Sequence, residues 1–442
     1  MKIALVAMSG IRVCDEELLR LGLTLPGFVE RSKTIASLPS LGLLTLAGMT
    51  PPEHELRYIE IPDLAAFEGF EDTFDLVAIS SYSAQIDEAY ELARRCRADG
   101  VPVVLGGPHV SALPEEGERQ GASVVVGEGE ASWPDVLRDV ERGRLRSRYG
   151  SLDDGYDLAE SPLPAFELLD LSRYNRLTVQ TSRGCPHRCE FCAASVVLTG
   201  KYKQKPVEKV VREIERILAL WERPFLEFAD DNSFVDHRYW KDLLSRLEGK
   251  NLRWFAETDL SVAEDAELLD LMRETGCAQV LIGLESPVEA GLAGIELKGD
   301  WKRRRFPRYR DAIRAIQSHG ITVNGCFVIG LDGHTPRIFE DVFEFVRETG
   351  LYEVQVTILT PFPGTPLHER LEREGRLIDP GNWKKCTLFD VNFRPTDMTV
   401  EELSEGFKHL VSRLYSDEFT RWRRSGFRKL LRRTDHEREA ER

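Results

Sequence analysis

No apolar run in this 442-residue chain approaches the roughly 20 residues that a helix needs to cross a bilayer. The longest, such as QVLIGL and FVIGL, are of strand length. The opening MKIALVAMSG sets a lysine before apolar residues, but the run is short and no small-residue cleavage site closes it. It is expected to be a first β-strand of a cytoplasmic protein. Positive charge is in short supply as well, and the formal net charge is -15. Phosphate backbones need a basic surface, so no nucleic-acid partner is expected. The acidic balance suits a cationic small molecule, or serves solubility alone. Internal repeats and low-complexity tracts are absent. Paired cysteines are also scarce: of eight, Cys14, Cys96, Cys277, Cys326 and Cys386 stand singly and are expected to be buried thiols rather than disulfides.

What is present is ordinary globular material in quantity. A hydrophobic share of 42% and a charged share of 30% exclude a disordered or fibrous chain, and the length predicts two or three domains, each with its own core. From residue 1 to 140, the runs KIALVAM, LRYIEI, DLVAISSY, VPVVLGG and SVVVGEG alternate with helix-length segments. That alternation predicts an α/β domain with a doubly wound parallel sheet. Residues 141–173 lose the periodicity and carry Gly155 and the prolines of ESPLPAF, as a linker does.

A second series, LTVQTSRG, FLEFADD, RWFAET, QVLIGLE, TVNGCFVIGL and EVQVTIL, occupies 174–379. Six βα units are two short of a closed eightfold barrel, so an open (β/α)6 partial barrel is expected. Residues 380–442 form a helical extension ending in RWRRSGFRKLLRR, where Trp422, Phe427, Leu430 and Leu431 fall at near-helical spacing. Such a basic amphipathic helix caps its own domain or touches an anionic membrane surface.

The remaining cysteines lie together in RGCPHRCEFC, as Cys185, Cys189 and Cys192, just after the first barrel strand. This is the carboxyl-terminal mouth where barrel enzymes keep their chemistry. Three thiolates in one short loop can converge on a metal centre. Structural zinc takes four protein ligands, and no fourth cysteine is near. An open zinc site with three cysteines, or three structural cysteines, are the alternatives, although Pro186, His187, Arg188 and Glu190 make the loop polar and unlike a core segment. A [4Fe–4S] cluster held by three cysteines leaves one iron free to bind another molecule.

The spacing C-x-x-x-C-x-x-C after a first barrel strand, with an aromatic before the last cysteine, resembles the radical S-adenosylmethionine (SAM) enzymes. The resemblance implies that the metal ligands are Cys185, Cys189 and Cys192 and that SAM fills the open iron site. It implies reductive cleavage of SAM to a 5′-deoxyadenosyl radical, which takes hydrogen from an unactivated C–H bond. It further implies a SAM site built from Phe191, from Asp230 and Asp231 in FADDNSF, Glu257 in AETDLS, Glu285 and Ser286 in GLES, and Gly330 in GCFVIGLDG. A low-potential electron donor such as flavodoxin or ferredoxin is the implied partner beside a small-molecule substrate.

SLPSLGLLTLAGM, GGPHVSALPEE, VVVGEGE and ILTPFPGTPLHERLEREGRL resemble the cobalamin-binding branch of that family. The implied cobalamin contacts are Ser81, Gly106, Gly107, His109, Gly127 and Glu128, glycines at strand ends leaving room for a flat corrin. No D-x-H-x-x-G motif occurs, so His109 is expected at the cofactor edge rather than on cobalt. The leading expectation is cobalamin-dependent C-methylation of a small molecule in specialised metabolism. The alternatives are a cobalamin-independent radical dehydration, deoxygenation or oxidation of a cationic aminosugar, and a non-catalytic Fe–S or corrinoid carrier. Tyr202, Trp254, His334, Tyr352 and Trp383 lie near strand ends and are candidates to line the substrate cavity or to serve as packing.

Overall fold

Short runs rich in Val, Ile and Leu pair in parallel to build the first sheet. Its strands are β1 (Lys2–Met8), β2 (Glu55–Ile61), β3 (Leu76–Ser80), β4 (Val103–Gly106), β5 (Ser123–Val125) and β6 (Arg148–Tyr149), in the order β2-β1-β3-β4-β5-β6. The computed structural model describes residues 1–21 and 38–440; Ser37, which opens SLPSLGLLTLAGM, and the last two residues of the expected tail lie outside them. Parallel strands need crossovers, and helices such as Ile86–Ala98 and Gly129–Glu141 supply them. Period-two alternation sends Ala4, Val6 and Met8 into one core and Ile3, Leu5 and Ala7 into another on the opposite face. The strand order turns between β1 and β3, the switch point beyond which ligands of open α/β sheets bind.

The segment expected to be a linker is structured. It carries β6, which extends the first sheet, and two residues have no period for a pattern to reveal. Tyr149 fixes that strand by donating to Asp139 Oδ2 at 3.1 Å. Farther on, Phe166 is fully buried in the core of the second domain.

The second sheet starts with β7 (Leu177–Val179), followed by a small antiparallel pair, β8 (Ser182–Arg183) and β9 (Lys203–Gln204). It continues through β10 (Phe225–Ser233), β11 (Arg253–Thr258), β12 (Cys277–Glu285), β13 (Thr322–Ile329) and β14 (Glu353–Ile358), in the order β14-β13-β12-β11-β10-β7. Six parallel strands in chain order make the expected partial barrel. Phe228, Trp254, Ile282, Val323, Phe327 and Val356 point outward beneath the helices and have no exposed surface. The residues between them, including Glu227, Glu257, Asn324 and Gln355, face inward. Trp254 packs against Phe228 and Trp240 on this outer layer, so it does not line a cavity.

The carboxyl-terminal extension belongs to both cores. Trp383 and Cys386 pack into the first domain, while Phe389, Phe393, Leu403, Phe407 and Leu410 pack into the barrel. Asp390 accepts the backbone N–H groups of Cys14 and Asp15, each at 2.9 Å. The last helix, Asp417–Ala440, caps the barrel through Phe427, which meets Tyr352 edge-on at 5.0 Å. Tyr352 is therefore occupied by packing. Among the described residues no helix is long and apolar enough to cross a membrane.

Arg423 on that helix has no exposed surface. It donates to the carbonyls of Tyr352 at 2.9 Å and Leu414 at 3.2 Å, with the Glu353 carboxylate 3.5 Å away. Removing a buried, bonded cation strips its acceptors, so Arg423→Ala is expected to cost about 3 kcal/mol. Urea unfolding checks this; an unchanged midpoint would show that the tail is only a surface cover.

Candidate functional site

The three-cysteine loop is fastened at the carboxyl ends of nearly every barrel strand. Asp230 on β10 accepts the N–H groups of Thr181 at 2.7 Å and Ser182 at 2.8 Å, and the Thr181 hydroxyl at 2.5 Å. Its carboxylate is saturated by the approach to the loop, and burial raises its pKa to about 6. The adjacent Asp231, on the opposite face of the strand, accepts Gly184 N–H at 2.7 Å. Cys189 bridges Glu296 in antiparallel register, and the Glu190 N–H donates to Ile295 O at 2.8 Å. The Glu190 carboxylate accepts from Arg370, whose guanidinium also reaches Asp332 at 2.8 Å. His187 meets Asp259 at 2.8 Å and lies on Trp301 at 4.4 Å between centroids.

Cys189 is buried, whereas Cys185 and Cys192 are half-buried. Burial raises the Cys185 thiol to about 11 and pushes Cys189 up further. Both respond to the charge of Cys192, and the Lys302 ammonium pulls both back down. No group of three His, Cys, Asp or Glu among the described residues is placed to hold one metal ion. Each cysteine of an iron–sulfur cube holds its own iron, so convergence on a single point is not required. Two thiols that both feel the third, with a cation beside them and no common point, fit that group and do not fit a single-ion zinc site.

The other residues expected around SAM divide into two sets. Glu285, with φ of 61°, sits at the end of β12 and pairs with Lys302 Nζ at 2.8 Å. The Ser286 hydroxyl meets His334 Nε2 at 2.9 Å, and burial lowers the His334 pKa to about 4. Phe191 is half-buried against the barrel core, and Tyr202 is half-buried beside the hairpin. A Cβ on Gly330 would stand 2.8 Å from the Phe393 ring, so the extension's packing accounts for that glycine. Glu257 stands apart, facing Glu227 and Asp231 with Arg176 as the nearby cation.

Several of the residues expected around cobalamin have close protein partners. The Glu128 carboxylate takes Arg183 at 2.6 Å and Lys203, and accepts Tyr156 N–H at 2.8 Å; Glu130 takes the other arm of Arg183. Glu128 thus ties the end of β5 to the barrel hairpin. His109 is fully buried, with Nδ1 3.1 Å from Ser83 Oγ and Nε2 3.2 Å from Glu116, which also accepts from Trp383. Neither its ring nitrogens nor Trp383 reach a cavity. Ser81 is buried, its hydroxyl on the Tyr82 carbonyl at 3.0 Å. Gly107 and Gly127 are pressed against their own backbone, with added Cβ atoms 2.7 Å from Ser81 O and 2.6 Å from Ser151 O. A Cβ at Gly106 would meet nothing within 4 Å. Beside it the Tyr82 side chain is 56% exposed and lies within reach of the charge of Glu227 in the barrel. The strand ends of the first sheet are therefore open at Gly106 on the side toward the barrel, as a bound corrin requires.

Arg183, Lys302, Glu227 and Tyr82 escaped the motif search. Alternation could have set Glu227 on the inner face with Asp231; Lys302, one of four consecutive basic residues in WKRRR, carried no such signal.

Three family descriptions match the chain: a B12 binding domain over residues 36–137, the radical SAM superfamily over 179–346, and a domain of unknown function over 365–442. The chain is 31% identical over 383 residues to an uncharacterized methyltransferase of Synechocystis sp., covering 84% of this chain and 70% of the relative. It is 30% identical over 392 residues to the hopanoid C-2 methylase of Rhodopseudomonas palustris, covering 87% and 72%. The fold also matches the radical S-adenosylmethionine methyltransferase TsrM from Kitasatospora setae, solved with cobalamin and a [4Fe–4S] cluster. The TM-score there is 0.65 at 16% identity, over 98% of this chain and 99% of that one.

Burial, then the charges of Glu227 and Asp231, raise Glu257 from 4.5 to about 8. The folded carboxyl keeps a proton that the unfolded one releases, so its contribution to stability is lost as pH rises through that window. Glu257→Gln is expected to raise the thermal midpoint more at about pH 9 than at about pH 6. Equal effects at both would mean that the carboxyl titrates like a surface group.

Proposed function

Because the chain belongs to the radical SAM superfamily, in the branch that carries a B12-binding domain, we propose that it is a cobalamin-dependent radical SAM enzyme that methylates an unactivated carbon of a small molecule. Its cofactors are a [4Fe–4S] cluster, SAM and cobalamin, and a low-potential donor such as flavodoxin or ferredoxin supplies its electrons in the cytoplasm. When bound, these groups supply the electron, the radical that abstracts hydrogen, and the methyl group.

The observation that carries this reading is the ion-pair clamp of Arg183 onto Glu128 and Glu130. It holds the carboxyl ends of both sheets against each other. In this reading Cys185, Cys189 and Cys192 hold the cluster, and Lys302 offsets the charge of three thiolates. Glu285 and Ser286 sit at the mouth where SAM is to be oriented, with His334 fixing the Ser286 hydroxyl. Asp230 and Arg370 keep the loop in register. Gly106 and Tyr82 form the open floor for the corrin.

Anaerobic reconstitution with cluster, reductant, SAM and cobalamin, followed by mass spectrometry, tests the reading. The expected products are 5′-deoxyadenosine and cobalamin-dependent S-adenosylhomocysteine. Deoxyadenosine alone, without a bound corrin, would replace methylation with a radical dehydration or oxidation, and neither product would leave a carrier. Cys185→Ala, Cys189→Ala and Cys192→Ala are each expected to abolish the cluster's visible absorption and both products; persistence of either would remove that residue from the ligand set.

A further inference from the structure

The interior of the barrel carries more negative charge than its own cations answer. Glu227 on β10 is 7% exposed and pairs with Arg176 at 2.5 Å. Asp231, four residues along the same face, accepts only a backbone N–H among the hydrogen bonds between described residues. Glu257 on β11 faces both carboxylates. Of the nearby guanidiniums, Arg176 is engaged by Glu227, and Arg183, which acts on Asp231, is committed to Glu128 and Glu130. Three carboxylates thus share one inner face, and among the described residues no cation is paired with the third. Packing them there is unfavourable unless a proton or a bound cation compensates.

The surrounding polar groups are also incomplete. Strand register sets Thr178 beside Glu227, and sets Leu281 and then Asn324 in line with Glu257. Thr178 is 4% and Asn324 1% exposed, yet Thr178 Oγ1 and Asn324 Oδ1 have no hydrogen-bond partner among the described residues. One strand farther, Gln355 Oε1, in register with Cys326, is likewise without one. A buried hydroxyl and two buried amide oxygens without partners cost free energy in a closed core. They lie on the same face as Asp231, which is exposed, and Glu257, which is half-buried, so they stand behind the accessible part of that face as acceptors for a ligand that enters there. The side of the chamber nearest the first domain bears Tyr82, whose hydroxyl feels Glu227.

We infer that this inner face binds a polar substrate through a protonated amine, with Glu257 and Asp231 as counter-charges and Thr178, Asn324 and Gln355 accepting its N–H or O–H groups. The inference rests on the proposed radical SAM function and narrows its substrate class to amines. The cationic SAM does not account for the group. Glu285, the carboxylate whose charge is felt at Cys189, already has Lys302. Glu227 lies six residues before the end of β10, on the strand face aligned with Thr178 near the start of β7. The acidic face therefore runs from the mouth down into the barrel, beyond the level of the cysteine loop. An apolar polycyclic substrate would leave all of these acceptors and carboxylates buried and unanswered.

Calorimetric titration of the reconstituted holoenzyme, with SAM present, compares 2-deoxystreptamine, a cyclic diamine, with scyllo-inositol, a neutral ring of similar size. The diamine is expected to bind and the neutral ring not to. Glu257→Gln is expected to weaken diamine binding at least tenfold, a loss of about 1.4 kcal/mol. Equal affinity for both rings, no binding of the diamine, or undiminished diamine binding by Glu257→Gln would each overturn the inference. SAM affinity of the same variant is measured in parallel, and a larger loss for SAM than for the diamine would reassign Glu257 to SAM and overturn it as well. Absence of SAM cleavage by the unaltered holoenzyme would count against the proposed radical function, while the amine-binding comparison would still decide the site.

Discussion

One guanidinium ties together the facing strand ends of the two halves of this protein. Arg183 ends β8, two residues before the first cysteine of the loop, and lies between Glu128 and Glu130 at the end of β5. Charges this well shielded must be desolvated on docking, and only close, bonded geometry offsets that cost. The pairing therefore favours one arrangement of the domains over the many that hydrophobic contact alone would tolerate. The open strand end at Gly106 and the Tyr82 side chain are set against the barrel by that arrangement, beside the cysteine loop that the barrel's own residues hold.

The barrel departs from the filled interior of a closed eightfold barrel, where branched apolar side chains stack in layers. Here the apolar half of each strand looks outward, and Glu227, Glu257, Asn324 and Gln355 look in. The fold draws its cohesion from the strand–helix interface and leaves the inside as a chamber. Its carboxylates are managed locally, Glu227 by Arg176, Glu285 by Lys302 and Glu353 by Arg424. Glu257, which has no such partner, instead titrates far above its usual range.

Much of this was legible in the amino-acid sequence, for identifiable reasons. Val- and Ile-rich runs bounded by glycine marked the long strands, and the spacing of Cys185, Cys189 and Cys192 marked the loop, because both signals are local. Side-chain partners were not local and were read less well. Asp230 and Asp231 look alike in FADDNSF, but alternation turns one toward Thr181 and the other toward the chamber. Glu128 follows a strand in a glycine-rich turn and resembles a cofactor contact until Arg183, 55 residues away, is brought against it. The two residues of β6 offered no period, and nothing in WKRRR distinguished the one lysine that goes inside.

The extension that follows the barrel has a consequence for how the molecule comes apart. Trp383 and Cys386 sit in the core of the first domain, and Phe389 and Phe393, a few residues on, sit in that of the second. A strap rooted in both cores couples their free energies, since neither can melt without exposing apolar surface that the other helps to bury. Two bodies that are separate in topology are thereby joined into one cooperative unit of unfolding.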